Sequence, residues 1–473
     1  MDESSQRHRS TKIICTLGPA TDSAEMIARL IEAGANVFRL NMSHGKAEWA
    51  HAVVARIRAA ADKLGANIAV LFDLQGPSIR TGELKAPFDL KKGDRVEFRL
   101  ASAEAHLPFS TTVNYEGMMQ DVSRDSTLVV DNGNILMQVE QIFADRIVCR
   151  VITEGVLGSR RHINLPGVAL RLPALTEKDM LDLQTAVECE ADYVGMSFVR
   201  NAGHLSELRA LIERQGGHAQ IVARIEDQQA IRHIGEIITA ADVIMVARGD
   251  LGIEVNIEEM PIVQQRIIRD CHRLGKRCII ATHMLESMIT QPTPTRAEVT
   301  DVSYAVFEQA DAVMLSGETS VGAYPVRCVE TLDRIARRME RASDLQPRVE
   351  TILRNDRQKA LKAAVDLADS IDHAGLVIFT RRGILAVAAA VLRPKHAPIF
   401  AFCHDSVVTR RLALARDVVA FQTDFHQDTD KMVNKASRIL RMAGYVREGQ
   451  PLVVVGDCLQ NRLLADSILF TKA

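Results

Sequence analysis

No stretch of this 473-residue chain is apolar for long enough to cross a membrane as a helix. An excess of charge of one sign is also missing. Lys and Arg number 58 against 60 Asp and Glu, a formal net charge of −2. A nucleic-acid-binding protein would show a basic stripe, so none is expected, and any anion binding must be local. The eight cysteines are scattered, with no CxxC pair. Several, such as Cys15, Cys149 and Cys278, fall in apolar runs, so buried free thiols in a reducing cytoplasm are expected rather than metal ligands. Aromatic residues make up only 4% of the chain although the hydrophobic share is 47%, which leaves large cores to aliphatic side chains. Residues 1–11 are polar and lack a signal-peptide core. Internal repeats and low-complexity tracts are absent.

What is present is a rhythm. The length suggests two to four domains. Apolar strand-like runs occur at 12–17, 36–41, 68–73, 193–198, 221–225, 243–246, 278–282 and 312–315. Helical spacing follows several of them, as at 23–33, 206–214 and 262–274. Eight strands alternating with helices fit a (β/α)₈ barrel better than an open sheet. Its two parts span 1–82 and 169–341. Between them, 83–168 reads as short alternating segments separated by turns such as Asp131-Asn132-Gly133. That is a small β domain inserted in the third βα loop, where it would act as a lid over the barrel's functional face. A polar linker at 342–357 leads to a third block, 358–473. Strands at 375–380, 399–403 and 451–455 and helices at 359–370, 383–391 and 428–443 make it a three-layer α/β domain.

The strand ends carry the chemistry. Arg224-Ile225-Glu226-Asp227 and Arg248-Gly249-Asp250 each close an apolar run and deliver a carboxylate, Glu226 or Asp250. Two acids on neighbouring strands suit Mg²⁺, which takes one or two carboxylates and keeps its other positions for water and substrate oxygens. Arg224 leaves the same face of its strand as Glu226, and a fixed cation beside a divalent ion points to an anionic, phosphate-bearing substrate. Arg39, Asn41, Ser43, Asp73, Ser197, Thr282, Ser316 and Glu318 stand at the ends of the other strands. One such residue is readily a helix cap or a satisfied hydrogen bond. A ring of this size is hard to explain by packing.

The wording of these segments resembles the pyruvate kinase family. TKIICTLGP at 11–19, FRLNMSHG at 38–45, QGPSIRT at 75–81, MVARGDLGIE at 245–254, PTRAE at 294–298 and MLSGET at 314–319 run in that family's order. The resemblance implies a TIM barrel with an inserted small β-barrel lid and a C-terminal α/β domain. It implies transfer of a phosphoryl group from phosphoenolpyruvate to ADP, giving pyruvate and ATP, in a cytoplasmic homotetramer. Glu226 and Asp250 then resemble the Mg²⁺ (or Mn²⁺) ligands. The backbone amides of Arg248, Gly249 and Asp250 resemble the cradle of the substrate carboxylate, with Ser197 beside it. Arg39 and Arg224 face the transferring phosphate, and Thr282 stands near the enolate carbon. Ser316 and Glu318 continue a proton relay, or else simply close the barrel with hydrogen bonds. Pro19, Asn41, His44, Arg80 and Lys178 resemble nucleotide-side contacts, Lys178 having a solvated surface role as its alternative. Asn41, Ser43, Asp73 and the carbonyl of Leu74 match a K⁺ site.

The main departure from the family is Arg224, where a lysine is usual. Charge is kept, but a compact point charge becomes a wide planar fork. Reduced activity that rises on Arg224→Lys is therefore expected. Ser78 replaces a residue that is glutamate in K⁺-dependent members and lysine in K⁺-independent ones, and K⁺ use is the expectation because no lysine replaces the ion. The C-terminal loops, with Arg381, Arg382 and Arg462, lack the hydroxyl and glycine runs of a sugar-phosphate site. Two other classes compete: a non-catalytic phosphoenolpyruvate or nucleotide sensor, and a metal-dependent oxaloacetate or pyruvate lyase, which would need no nucleotide contacts.

Overall fold

The computed structural model describes residues 9–342, 350–426, 428–456 and 467–473. Eight parallel strands close into a barrel. They are β1 (Lys12–Leu17), β2 (Val37–Asn41), β3 (Ala69–Asp73), β4 (Tyr193–Met196), β5 (Gln220–Ile225), β6 (Val243–Ala247), β7 (Arg277–Ala281) and β8 (Ala312–Leu315). Each pairs with its sequence neighbour, and β1 closes on β8 with Lys12 opposite Ala312. Buried on both faces, such strands read as continuous apolar runs, which is why the sequence marks them so clearly.

Ile14, Leu71, Val222, Met245 and Ile279 fill the barrel interior, and Ala413 and Leu414 of the C-terminal block pack into the same cluster. The barrel floor is thus stoppered, and its open end lies at the carboxyl ends of the strands. The surrounding helices bury one aliphatic stripe each. Ala24–Glu32 inserts Ile27, Leu30 and Ile31 and starts at Ser23, whose side chain accepts from the Met26 amide.

The lid departs from the barrel after β3 and returns before the helix Glu177–Glu188. Its six-stranded sheet runs in the order Ile163–Asn164, Thr127–Val130, Ile135–Ile142, Arg146–Val151, Arg95–Arg99, Phe109–Thr112. Bridges from Arg80 to His162 and from Thr81 to Val113 join the two edges, so the sheet curls into a small barrel. The returning chain is clamped by buried Arg200, which donates to the carbonyls of Leu170 (3.0 Å), Leu172 (2.6 Å) and Pro173 (3.2 Å).

The C-terminal block holds a five-stranded sheet, in the order Val418–Gln422, Ile399–Cys403, Gly375–Phe379, Pro451–Gly456, Ser467–Lys472. Separate apolar clusters cover its two faces, which makes three layers. The first and last of these strands were not foreseen. Arg462 and its loop lie outside the described residues, as does part of the linker.

Candidate active site

At the open end of the barrel, beneath the lid, is a cleft of about 320 Å³. Eight of the expected residues line it: Arg39, Asn41, Ser43 and His44 from β2 and its loop, Arg80 from the lid hinge, and Arg224, Glu226 and Asp250. Arg224 and Glu226 project from the end of β5. Asp250 sits one turn into a short helix, Arg248–Glu254, that follows β6 directly. The second carboxylate therefore comes from a helix start rather than from the strand.

Asp73 organises the floor of the cleft. Fully buried, its Oδ2 accepts from Arg39 Nε at 2.6 Å and from Arg224 Nη1 at 3.2 Å. Burial alone would raise its pKa, but Arg224 and Arg39 outweigh that and hold it below the ordinary value. Its other oxygen, Oδ1, is buried and accepts nothing. Asp73 is the β-register partner of Asn41 on the neighbouring strand, but its orphaned oxygen lies on the Gly195 side. The Leu74 carbonyl, expected to join them, accepts from Ser197 Oγ at 2.7 Å.

Arg224 reaches across the site. Nη1 donates to Ser197 Oγ at 2.6 Å, while Nη2 lies 2.5 Å from Glu226 Oε1 and 3.7 Å from Asp250 Oδ2. Glu226 Oε2 accepts the Phe198 amide at 2.6 Å. Burial pushes the Glu226 carboxyl above its ordinary value, against the pull of Arg224. Both carboxylates face the cleft and suit a divalent cation. Among the described residues no group of three or more His, Cys, Asp and Glu gathers for a metal, so any ion here must take further oxygens from water or ligand.

Helix Arg248–Glu254 carries Asp250 in its first turn, where backbone amides lack partners within the helix and can meet an anion or a side chain. The Gly249 amide donates to Thr282 Oγ1 at 2.8 Å, and that hydroxyl donates to the Ala281 carbonyl at 2.6 Å. Thr282 and His283 hold φ of +69° and +54°, a conformation costly for a β-branched residue and common at functional sites. The Arg248 side chain turns away, locking that loop through the Thr282 carbonyl at 2.6 Å and Asp301 at 2.7 Å.

Several expected residues have other duties. Ser197 is buried between Arg224 and the Leu74 carbonyl, so it holds the arginine and has no free face for substrate. Glu318 accepts the Leu285 amide with one oxygen (3.0 Å) and the Ser316 amide with the other (2.7 Å), the barrel-closing alternative. Ser316 Oγ is buried without a partner. Lys178 bonds the Met42 carbonyl and Asp182, both at 2.6 Å, at the rim. Pro19 is exposed and does not line the cleft.

The lid contributes residues that sequence reasoning missed: Arg160, Arg161 and His162. Arg80 donates to the Arg160 carbonyl at 3.1 Å, and Arg161 pairs with Asp131 at 3.1 Å. Burial lowers the His162 pKa, which favours the neutral ring. Three consecutive basic side chains after Gly158 were the available signal. With Arg80, Arg160 and Arg161 give the cleft a cationic roof over an acidic floor, an arrangement for a polyanion carried with a metal ion.

Residues 8–329 match the family model for the pyruvate kinase barrel domain, and residues 358–462 match that for the pyruvate kinase alpha/beta domain. A pyruvate kinase of Bacillus licheniformis is 39% identical over 459 residues, covering 95% of this chain and 78% of that protein. One of Mycobacterium intracellulare is 38% identical over 449 residues, covering 94% of each. Plastidial pyruvate kinase 2 of Arabidopsis thaliana is 37% identical over 451 residues, covering 94% of this chain and 78% of that protein.

Proposed function

The chain belongs to the pyruvate kinase family, and we infer that it transfers the phosphoryl group of phosphoenolpyruvate to ADP, giving pyruvate and ATP. The observation that carries this reading is the meeting of Arg39, Arg224, Glu226 and Asp250 in one lidded cleft at the barrel's open end. Glu226 and Asp250 would hold the divalent ion, Mg²⁺ or Mn²⁺, which when bound neutralises phosphoryl charge. Arg39, anchored on Asp73, presents a fixed cation to the phosphoryl oxygens. The amides of Arg248 and Asp250 receive the substrate carboxylate, the Gly249 amide being held by Thr282 Oγ1. Thr282, held by the Gly249 amide, is the group we assign to proton delivery to the enolate carbon, with Ser316 as a candidate relay hydroxyl. The lid brings Arg80 and the 160–162 basic triplet over the nucleotide phosphates and excludes water. We assign K⁺ to Asn41, Ser43 and Asp73, with the Leu74 carbonyl, on the resemblance to the family alone. No helix among the described residues is long and apolar enough to cross a membrane, and we assign the protein to the cytoplasm as a homotetramer.

Arg224 sets the rate. Its fork is bound on both sides by protein groups, so it tracks the phosphoryl in flight less freely than a lysine. Misplacement by about 1 Å costs roughly a hundredfold. A pyruvate-coupled assay should show slow turnover in the natural protein and a gain in Arg224→Lys. A fast natural enzyme that gains nothing would reject impairment, and absence of turnover in both would favour the sensor reading. The same assay in K⁺ and in a bulky organic cation reads the monovalent site, and equal rates would remove it.

A further inference from the structure

The guanidinium of Arg224 stands among the carboxylates assigned to the divalent ion. Nη2 is 2.5 Å from Glu226 Oε1 and 3.7 Å from Asp250 Oδ2. Nη1 is fixed on the far side by Ser197 Oγ at 2.6 Å and by Asp73 at 3.2 Å. The side chain is only 12% exposed, and its Nε is buried without a partner. We propose that Arg224 is an internal counter-cation that competes with the divalent ion for Glu226 and Asp250. In this protein, binding of metal and binding of a phosphate-bearing ligand are thereby coupled.

Glu226 Oε2 is committed to the Phe198 amide, so Oε1 is the oxygen left for a ligand, and Arg224 covers it. A divalent ion needs lone pairs on that oxygen and on Asp250, and it carries charge of the same sign as the guanidinium. It must therefore displace Nη2. A flexible ammonium would turn aside at small cost. A planar fork tied down at its other nitrogen cannot give up one partner without disturbing the rest. Metal alone is thus disfavoured. A phosphate group offers the freed nitrogen a new anionic partner, so each ligand favours the other by the same factor. Arg39 supplies an internal comparison. Its guanidinium also pairs with Asp73, but no ion pair joins it to Glu226 or Asp250.

This inference rests on the assignment of Glu226 and Asp250 as metal ligands, and its test is independent of turnover. Full-length protein is titrated with Mn²⁺ alone at neutral pH, and free Mn²⁺ is read by electron paramagnetic resonance. Arg224→Gln should bind Mn²⁺ at least about tenfold more tightly than the natural protein, a difference of about 1.4 kcal/mol. Arg224→Lys, whose single ammonium cannot bridge Ser197 and Glu226 together, should gain severalfold, and it decides the matter if the glutamine variant does not fold. Arg39→Gln should gain less than about threefold, because general loss of positive charge is a small effect beside displacement of a direct partner. Unchanged or weaker Mn²⁺ binding in both Arg224 variants, or an equal gain in Arg39→Gln, overturns the proposal. Either result leaves the kinase reading standing, because pyruvate formation by the natural protein is measured separately.

Discussion

Asp73→Asn isolates the electrostatic centre of the cleft. The substitution conserves shape, which matters because the site is tight: a Cβ built on Gly195 would lie 2.5 Å from Asp73 Oδ1. Asparagine leaves no cavity and adds no bulk, so the change is loss of the charge, with an amide NH₂ in place of one acceptor oxygen. Arg39 and Arg224 then share an interior without the carboxylate that both of them contact. Removing one partner of a buried ion pair costs about 3–5 kcal/mol, because the remaining charge stays desolvated. For a domain of this size, about 1 kcal/mol moves the melting temperature by roughly 2–4 °C. The barrel transition should therefore fall by at least about 6 °C at neutral pH. The pH dependence gives a second reading. The folded-state pKa of Asp73 is depressed, so its contribution is fully present above the unfolded carboxylate pKa of about 3.9 and is lost as pH falls through the folded value. The variant should lack that part of the acid limb, and the two melting curves should converge at low pH. Calorimetry across the acid range measures both effects. A variant that melts within about 1 °C of the natural protein at neutral pH would show that the arginines do not depend on this carboxylate, and the reasoning would fail.

Gly249→Ala separates folding from binding. A methyl group there meets Thr282 Oγ1 at 3.5 Å and His283 at 3.7 Å, ordinary contacts, so the melting temperature should hold or rise. The methyl nonetheless stands on the amide turn assigned to the substrate carboxylate, and the KM for phosphoenolpyruvate should rise by about tenfold or more, equivalent to about 1.4 kcal/mol. An unchanged KM would remove these amides from substrate binding. His272→Gln tests the seam between barrel and C-terminal block. Burial, then the neighbouring Arg393, lowers the His272 pKa to about 3, and its Nε2 accepts from Arg393 at 2.9 Å. The folded protein resists protonation there while the unfolded chain does not. Stability should thus fall by about 1.4 kcal/mol per pH unit as pH drops from about 6.5 towards 3. The glutamine variant should flatten that slope, and melting curves of equal slope would show that the ring titrates freely.

The barrel was legible because parallel strands buried on both faces leave an apolar run ending in a polar residue. β1 and β8 begin and end where the sequence placed them. Glu226 follows its strand directly and was legible for the same reason, whereas Asp250 was expected at a strand end and lies in the helix that follows. Val418–Gln422 was missed because it lies at the sheet edge with a mixed burial pattern, and Ser467–Lys472 because it joins antiparallel, outside the βα rhythm. The duties of Ser197 and Glu318 were hidden more deeply. Each depends on partners tens of residues away, Arg224 in one case and the Leu285 amide in the other, and no local pattern carries such a pairing. The basic triplet at 160–162 was visible as composition. Its direction became readable only once Arg80 and His162 were bridged across the lid.

Charge alone does not mark the site, because the two ends of the barrel are charged in different ways. At the floor, Arg277 is fully buried and donates to Tyr193 Oη and Gln220 Oε1, both at 2.7 Å. Lys12 Nζ donates to the Val418 carbonyl at 2.8 Å, and Tyr193 Oη donates to the Arg411 carbonyl at 2.5 Å. Asp311 takes both nitrogens of the Arg393 fork at 2.8 Å. These partners come from the barrel strands and from the block whose Ala413 and Leu414 stopper the interior, so most of the floor's charge is met within the protein, although Nε of Arg277 and Nε of Arg393 have no partner. At the mouth no such block arrives. Asp73 Oδ1 and Ser316 Oγ remain without partners, Glu226 Oε1 is covered only by Arg224, and the lid arginines roof a cleft instead of filling it. A buried polar atom without a partner is costly, and at the open end of the barrel a ligand can reach it. The asymmetry follows from topology. The C-terminal block fills one end of the barrel, and the other end is left open, where the cleft lies.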